Sequence, residues 1–93
     1  MIRSFENALT EALFDGLVPK GFPAQLARVA RRKLEALNAA STLGDLRSPP
    51  GNRLHALDGN RSGQHAIRIN DQFRVCFVWK DDGPHNVEIV DYH

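Results

Sequence analysis

Cysteine is almost absent from this chain: Cys76 stands alone among 93 residues. That excludes an internal disulfide framework and points to a reducing cytoplasm. Long apolar runs are missing too. No stretch of about 18 apolar residues occurs, so no transmembrane helix is expected. The opening Met1-Ile2-Arg3-Ser4-Phe5-Glu6 meets an acid where the apolar core of a signal peptide would begin. Charge of one sign is also lacking. The net charge is only +1, so any case for nucleic-acid binding must rest on where the basic residues lie. There is no Walker A or dinucleotide-binding glycine pattern, no Cys-x-x-Cys and no G-x-S-x-G. No internal repeat or low-complexity tract is present.

What is present fits one small domain spanning 1–93, with 42% apolar residues. A chain this short buries roughly 60–65% of its unfolded surface, so a partner would help it. From Phe5 to Asn38 the apolar residues recur at helical spacing. Phe5, Leu9, Ala12 and Leu13 predict a first helix with Ser4 as N-cap and Gly16 as stop. Pro19, Gly21 and Pro23 mark a loop, and Pro23 suits the first turn of a second helix. Leu26, Ala30, Leu34 and Leu37 line one side of that helix, opposite Arg28, Arg31, Arg32 and Glu35. Lys33 falls toward the apolar stripe and must snorkel.

Residues 40–53 hold two prolines and two glycines, which opposes any long regular element. Beyond Arg53 the period becomes that of strands. Short segments are expected at 54–57, 64–69 and 73–79, with a last strand from Val87 running to the C-terminus, separated by turns at 58–63, 70–71 and 81–84. Strands joined by short turns pair antiparallel. The expected architecture is α+β, with two N-terminal helices packed on a small antiparallel sheet.

Three groups of residues could carry chemistry. Asp91-Tyr92-His93 attaches a carboxylate, a phenol and an imidazole to an apolar strand, although a solvated tail is the plain alternative. Alternation places Asp91 and His93 on one face and Tyr92 on the other, unless the strand ends first. His55 sits in a short strand between the Pro-Pro-Gly loop and a glycine-rich turn; a lone histidine is more often a satisfied surface residue. His65 and His85 carry no further signal. Among the arginines, Arg68 and Arg74 lie within apolar strands, where an unpaired cation is costly. They either reach a phosphate, which a guanidinium fork matches, or pair with Glu88, Asp71 or another acid. Arg53 and the helical trio Arg28, Arg31 and Arg32 are candidates to meet an RNA backbone, with Glu35 as a competing partner for the trio. His55, Asp91 and His93 have the right ligand types for a metal, but no spacing signature supports a metal site. Cys76 reads as a packed small residue.

Taken together, these segments resemble the RelE/HigB toxin superfamily, and its HigB branch in particular. The start Met-Ile-Arg-Ser-Phe, the segment from Arg53-Leu54-His55 to Arg61-Ser62-Gly63, the strand Phe73-Arg74-Val75-Cys76-Phe77 and the ending Asp91-Tyr92-His93 match the branch in order, essentially end to end. The resemblance implies a RelE-like microbial RNase fold and a ribosome-dependent endoribonuclease that cleaves messenger RNA in the A site. It implies a cognate helix-turn-helix antitoxin, HigA-like, which reaches operator DNA together with the toxin. It places the catalytic positions at His55, Asp91, Tyr92 and His93, with the strand arginine at Arg74. It implies neither metal nor cofactor. One departure stands out: relatives often carry a lysine three residues after the histidine, where this chain has Asp58. The nearest rivals are a same-fold toxin directed at DNA gyrase, which lacks the histidine-bearing terminus, and a non-catalytic antitoxin- and operator-binding module.

Overall fold

The computed structural model describes residues 1–91. Among them are two helices, α1 (Ala8–Phe14) and α2 (Ala24–Ala39), and four strands, β1 (His55–Ala56), β2 (His65–Arg68), β3 (Phe73–Lys80) and β4 (Gly83–Asp91). The strands form one antiparallel sheet in the order β1-β2-β3-β4. The α+β expectation is met. No helix among the described residues is long and apolar enough to cross a membrane.

The start of the chain differs from the helical reading. Ser4 does not cap a helix, and Phe5 lies in an extended segment that runs parallel to β4 with Phe5 opposite Val87. The Glu6 N–H donates to Val87 O and the Val87 N–H to Ser4 O, while the Ser4 hydroxyl accepts from the Asn86 N–H at 2.8 Å. With Ser4 so engaged, the N-cap moves to Asn7, whose Oδ1 accepts from the Thr10 N–H at 2.9 Å and the Thr10 hydroxyl at 2.7 Å. Pairing on this side also covers the outer edge of β4. It explains why Gly83-Pro84, expected as a turn, begins the strand instead. The Arg3 N–H donates to Pro84 O, and a Cβ on Gly83 would lie 2.6 Å from Met1 O.

The helices cover one face of the sheet. Ala27, Ala30, Leu34 and Leu37 of α2 and Leu13 of α1 pack against Ile67, Val75, Phe77, Val87 and Ile89. Phe77, Leu34 and Leu37 are wholly buried, each contributing roughly 1.5–3 kcal/mol by leaving water. Leu26 is only partly buried, because the stripe is centred one residue on, at Ala27. Register shifts between Cys76 and Val78, where Asn86 adopts a left-handed φ of 53° and β4 bulges.

The proline-rich segment after α2 folds into two short 3-10 turns, Leu43–Arg47 and Pro50–Asn52. Asp45 caps the first by accepting from the Ser41 and Thr42 N–H groups, which holds its carboxyl below the usual carboxylate range. Asn52 anchors the second. It is fully buried, donates to the Leu46 and Ser48 carbonyls at 3.1 and 3.2 Å, and accepts from Lys33 Nζ. Lys33 does snorkel toward this polar spot, and partial burial, then Arg32 and Arg68, lower its pKa.

Candidate functional site

The face of the sheet away from the helices is the chemically loaded one. Register aligns His55, Ala66, Cys76 and Glu88 in one row across all four strands. Two residues along lies the row Arg68, Arg74 and Val90, on the same side by alternation. A small apolar strip of Leu57, Ala66, Cys76 and Val90 floors this face, with Leu57, Ala66 and Cys76 buried. Its walls are charged.

His55 is set by the loop that precedes it. Arg53 closes the Pro50–Asn52 turn in a left-handed conformation, φ 48°, and its carbonyl lies 2.7 Å from His55 Nδ1. A carbonyl only accepts, so Nδ1 carries the proton and Nε2 is the nitrogen available to a substrate. The neutral ring offers a base there, and the protonated ring an acid.

Four of the residues singled out from sequence meet at one depression. Arg53, His55, Arg68 and Arg74, with Asp71, line an open cleft of about 310 Å³. Arg68 and Arg74 are direct cross-strand partners, and like charges so placed repel. Arg68 is ion-paired with Asp71, an acid that is almost fully exposed and therefore well screened. An anion lodged between the two guanidinium groups would relieve the repulsion. On its other side His55 borders a second depression of about 490 Å³, walled by Asp58, Asn60, Arg61 and Arg74.

The remaining candidates lie elsewhere. Arg28 and Arg31 line a separate, partly apolar depression with Leu17 and Val18 at the end of α1, and Arg31 pairs with Glu35 at 3.0 Å. Arg32 is near enough to Lys33 to depress its pKa. Asp91 pairs in register with Phe73, and alternation puts it on the helix-covered side, where it accepts from Gln72 Nε2 at 2.9 Å. Tyr92 and His93 lie outside the described residues. His85 is held by Asp82 at 2.6 Å, and the ring of His65 stacks on Phe77. Among the described residues no three His, Cys, Asp or Glu side chains cluster closely enough to hold a metal ion.

Sequence reasoning passed over Arg61. It sits beside His55 in the second depression, paired with Glu88 at 3.2 Å. Its position in a glycine-rich turn hid it; only the folding of Gly59–Arg61 as a 3-10 turn over the sheet brings it there. Cys76 is buried between these cations. Burial pushes its thiol pKa up, partly offset by Arg61 and Arg74.

Comparison with known proteins bears on the whole of this arrangement. Residues 3–93 match the family model described as the RelE-like toxin of the type II toxin–antitoxin system HigB. Toxin HigB-1 of Vibrio cholerae is 48% identical over 59 residues, which are 63% of this chain and 62% of that protein. An uncharacterized Haemophilus influenzae protein is 34% identical over 65 residues, 70% of this chain and 64% of its own length. The chain thus aligns with somewhat under two thirds of those two relatives. Endoribonuclease HigB of Proteus vulgaris is 30% identical over 93 residues, the full length of both chains. The chain belongs to the HigB family of RelE-like toxins of type II toxin–antitoxin systems.

Proposed function

We propose that this toxin is a ribosome-dependent endoribonuclease that cuts messenger RNA in the ribosomal A site. A cognate helix-turn-helix antitoxin of the HigA type neutralises it in the cytoplasm, and the pair together reaches operator DNA. One observation carries the reading: an imidazole with Nδ1 engaged by Arg53 stands in a cleft where Arg53, Arg68 and Arg74 converge. The name of the Proteus vulgaris relative supports the same reaction class.

The reaction is transesterification. An imidazole takes the proton of the ribose 2′-hydroxyl, whose oxygen attacks the adjacent phosphorus. The bond to the 5′-oxygen breaks and a second imidazole returns a proton to it, leaving a 2′,3′-cyclic phosphate and a 5′-hydroxyl. His55 and His93 share these two roles, worth roughly 10²–10⁴-fold in rate. Arg74 stabilises the charge on the phosphorane, with Arg68 and Arg53 binding flanking phosphates. Tyr92 positions or stacks on the nucleotide, and Asp91, on the helix-covered side at the end of β4, acts through the imidazole of His93 rather than on His55 or the 2′-hydroxyl in the cleft. These steps use side chains alone, without metal or cofactor. Arg28, Arg31 and Arg32 form a second basic surface for the RNA backbone. The ribosome aligns the message, so a protein of net charge +1 needs little affinity for free RNA.

Message cleavage on programmed ribosomes tests this, with wild type beside His93→Ala and with free RNA as control. Cuts that require both the ribosome and His93 are expected. Cutting of free RNA at a similar rate, or a fully active His93→Ala protein, would overturn the assignment. A folded wild type that makes no cuts would favour the gyrase-directed or non-catalytic alternatives.

A further inference from the structure

We infer that Arg61 is a phosphate-contacting residue of the second depression beside His55 and that Glu88 is a residue that positions it. The inference rests on the nuclease reading and extends the site beyond the residues assigned above. Arg61 walls the second depression beside His55, away from Arg53 and Arg68, while Arg74 is common to both depressions. A strand laid across His55 would therefore meet cations on both sides, with one phosphate toward Arg68 and Arg74 and the next toward Arg61.

The placement is built in. Glu88 stands at the end of the row His55, Ala66, Cys76 and Glu88. Its Oε1 takes Arg61 Nη1 at 3.2 Å, and Gln64 Oε1 takes the same nitrogen at 3.1 Å. Both acceptors thus hold one corner of the guanidinium, and the rest of the fork is left to reach a second anion. The backbone is fixed as well: the Arg61 N–H donates to Asp58 O, and the Gln64 N–H to Arg61 O at 3.0 Å. Arg61 is about one third exposed, so its charge is less screened than that of a surface arginine. Asp58 contributes an acid to this wall, and without Arg61 it would cancel the charge of Arg74 and leave a phosphate there no net attraction.

The test is single-turnover cleavage on programmed ribosomes by wild type, Arg61→Ala, Arg61→Lys, Glu88→Gln and the double variant Asp58→Lys/Arg61→Ala, each with its unfolding midpoint. Arg61→Ala should cut about 10²-fold more slowly with its fold intact. Arg61→Lys, keeping the charge but not the fork, should fall between. Glu88→Gln, which trades the charged acceptor for a neutral one, should cut more slowly than wild type but faster than Arg61→Ala. The double variant should recover activity, because Asp58→Lys restores a cation to the same wall. A role confined to pinning the turn would not be rescued by that lysine. Wild-type cleavage by Arg61→Ala, or failure of the double variant to recover while remaining folded, would overturn the inference. No cutting by wild type itself would overturn the nuclease reading and the role of Arg61 with it.

Discussion

The two faces of the sheet are built from the same strands and obey opposite rules. On the helix side, Ile67, Val75, Phe77, Val87 and Ile89 meet α2 with almost no contact with water. On the other side, a narrow strip of Leu57, Ala66, Cys76 and Val90 is enough to floor the sheet, and the polar side chains are His55, Arg61, Arg68, Arg74 and Glu88. Small residues on the bare face keep the cations close to the backbone that positions them. Large ones on the covered face hold that backbone still. Stability and chemistry are therefore separable by strand alternation, one residue apart.

The largest expected effect lies on the covered face. Phe77→Ala should cost about 3–5 kcal/mol in urea unfolding, because it opens a cavity beneath both helices. Val90→Ala, half-buried on the bare face, should cost about 1 kcal/mol. Equal losses would break the comparison.

A middle effect concerns the helix arginines, which belong to neither face. Changing Arg28, Arg31 and Arg32 together to Gln removes three exposed cations, at roughly 0.5 kcal/mol each. The ribosome concentration for half-maximal cleavage should rise about tenfold and its salt dependence should flatten. A titration unchanged in both respects would remove that surface from the binding account.

The smallest effect reads the floor of the bare face. Burial pushes the Cys76 thiol above its ordinary value of 9.0. Iodoacetamide should then alkylate native protein on the order of 100-fold more slowly than unfolded chain. The sign for stability follows from linkage: below the ordinary value both states hold the proton, and above it the unfolded chain ionises first. Stability should fall as pH rises past about 9. Rapid native alkylation would show the floor to be open rather than packed.

Most of the covered face was legible in the sequence, because periodicity reports burial directly: Ala30, Leu34, Leu37 and the run around Phe77 fall where 3.6- and two-residue spacing put them. The first helix was misplaced by a few residues because Ser4 and Asn7 are both good caps. Only a contact with Asn86, distant in sequence, decides between them. The same pairing drew Gly83-Pro84 into β4 against their turn propensity. The site was legible as residues and not as geometry. His55, Arg53, Arg68 and Arg74 come together through register, which no local pattern states, and Arg61 joins them through a turn that reads as filler. Asp91 closes β4, as its attachment to an apolar strand suggested, and its side of the sheet depends on how far β4 runs.

The central claim is that cleavage chemistry resides on the bare face at His55. Its most direct test is the single-turnover rate of message cleavage by His55→Ala on programmed ribosomes, alongside its urea unfolding. A fall of about 10²–10⁴-fold, with stability within roughly 0.5 kcal/mol of wild type, is the predicted result. Undiminished cleavage by a folded His55→Ala protein would contradict the account.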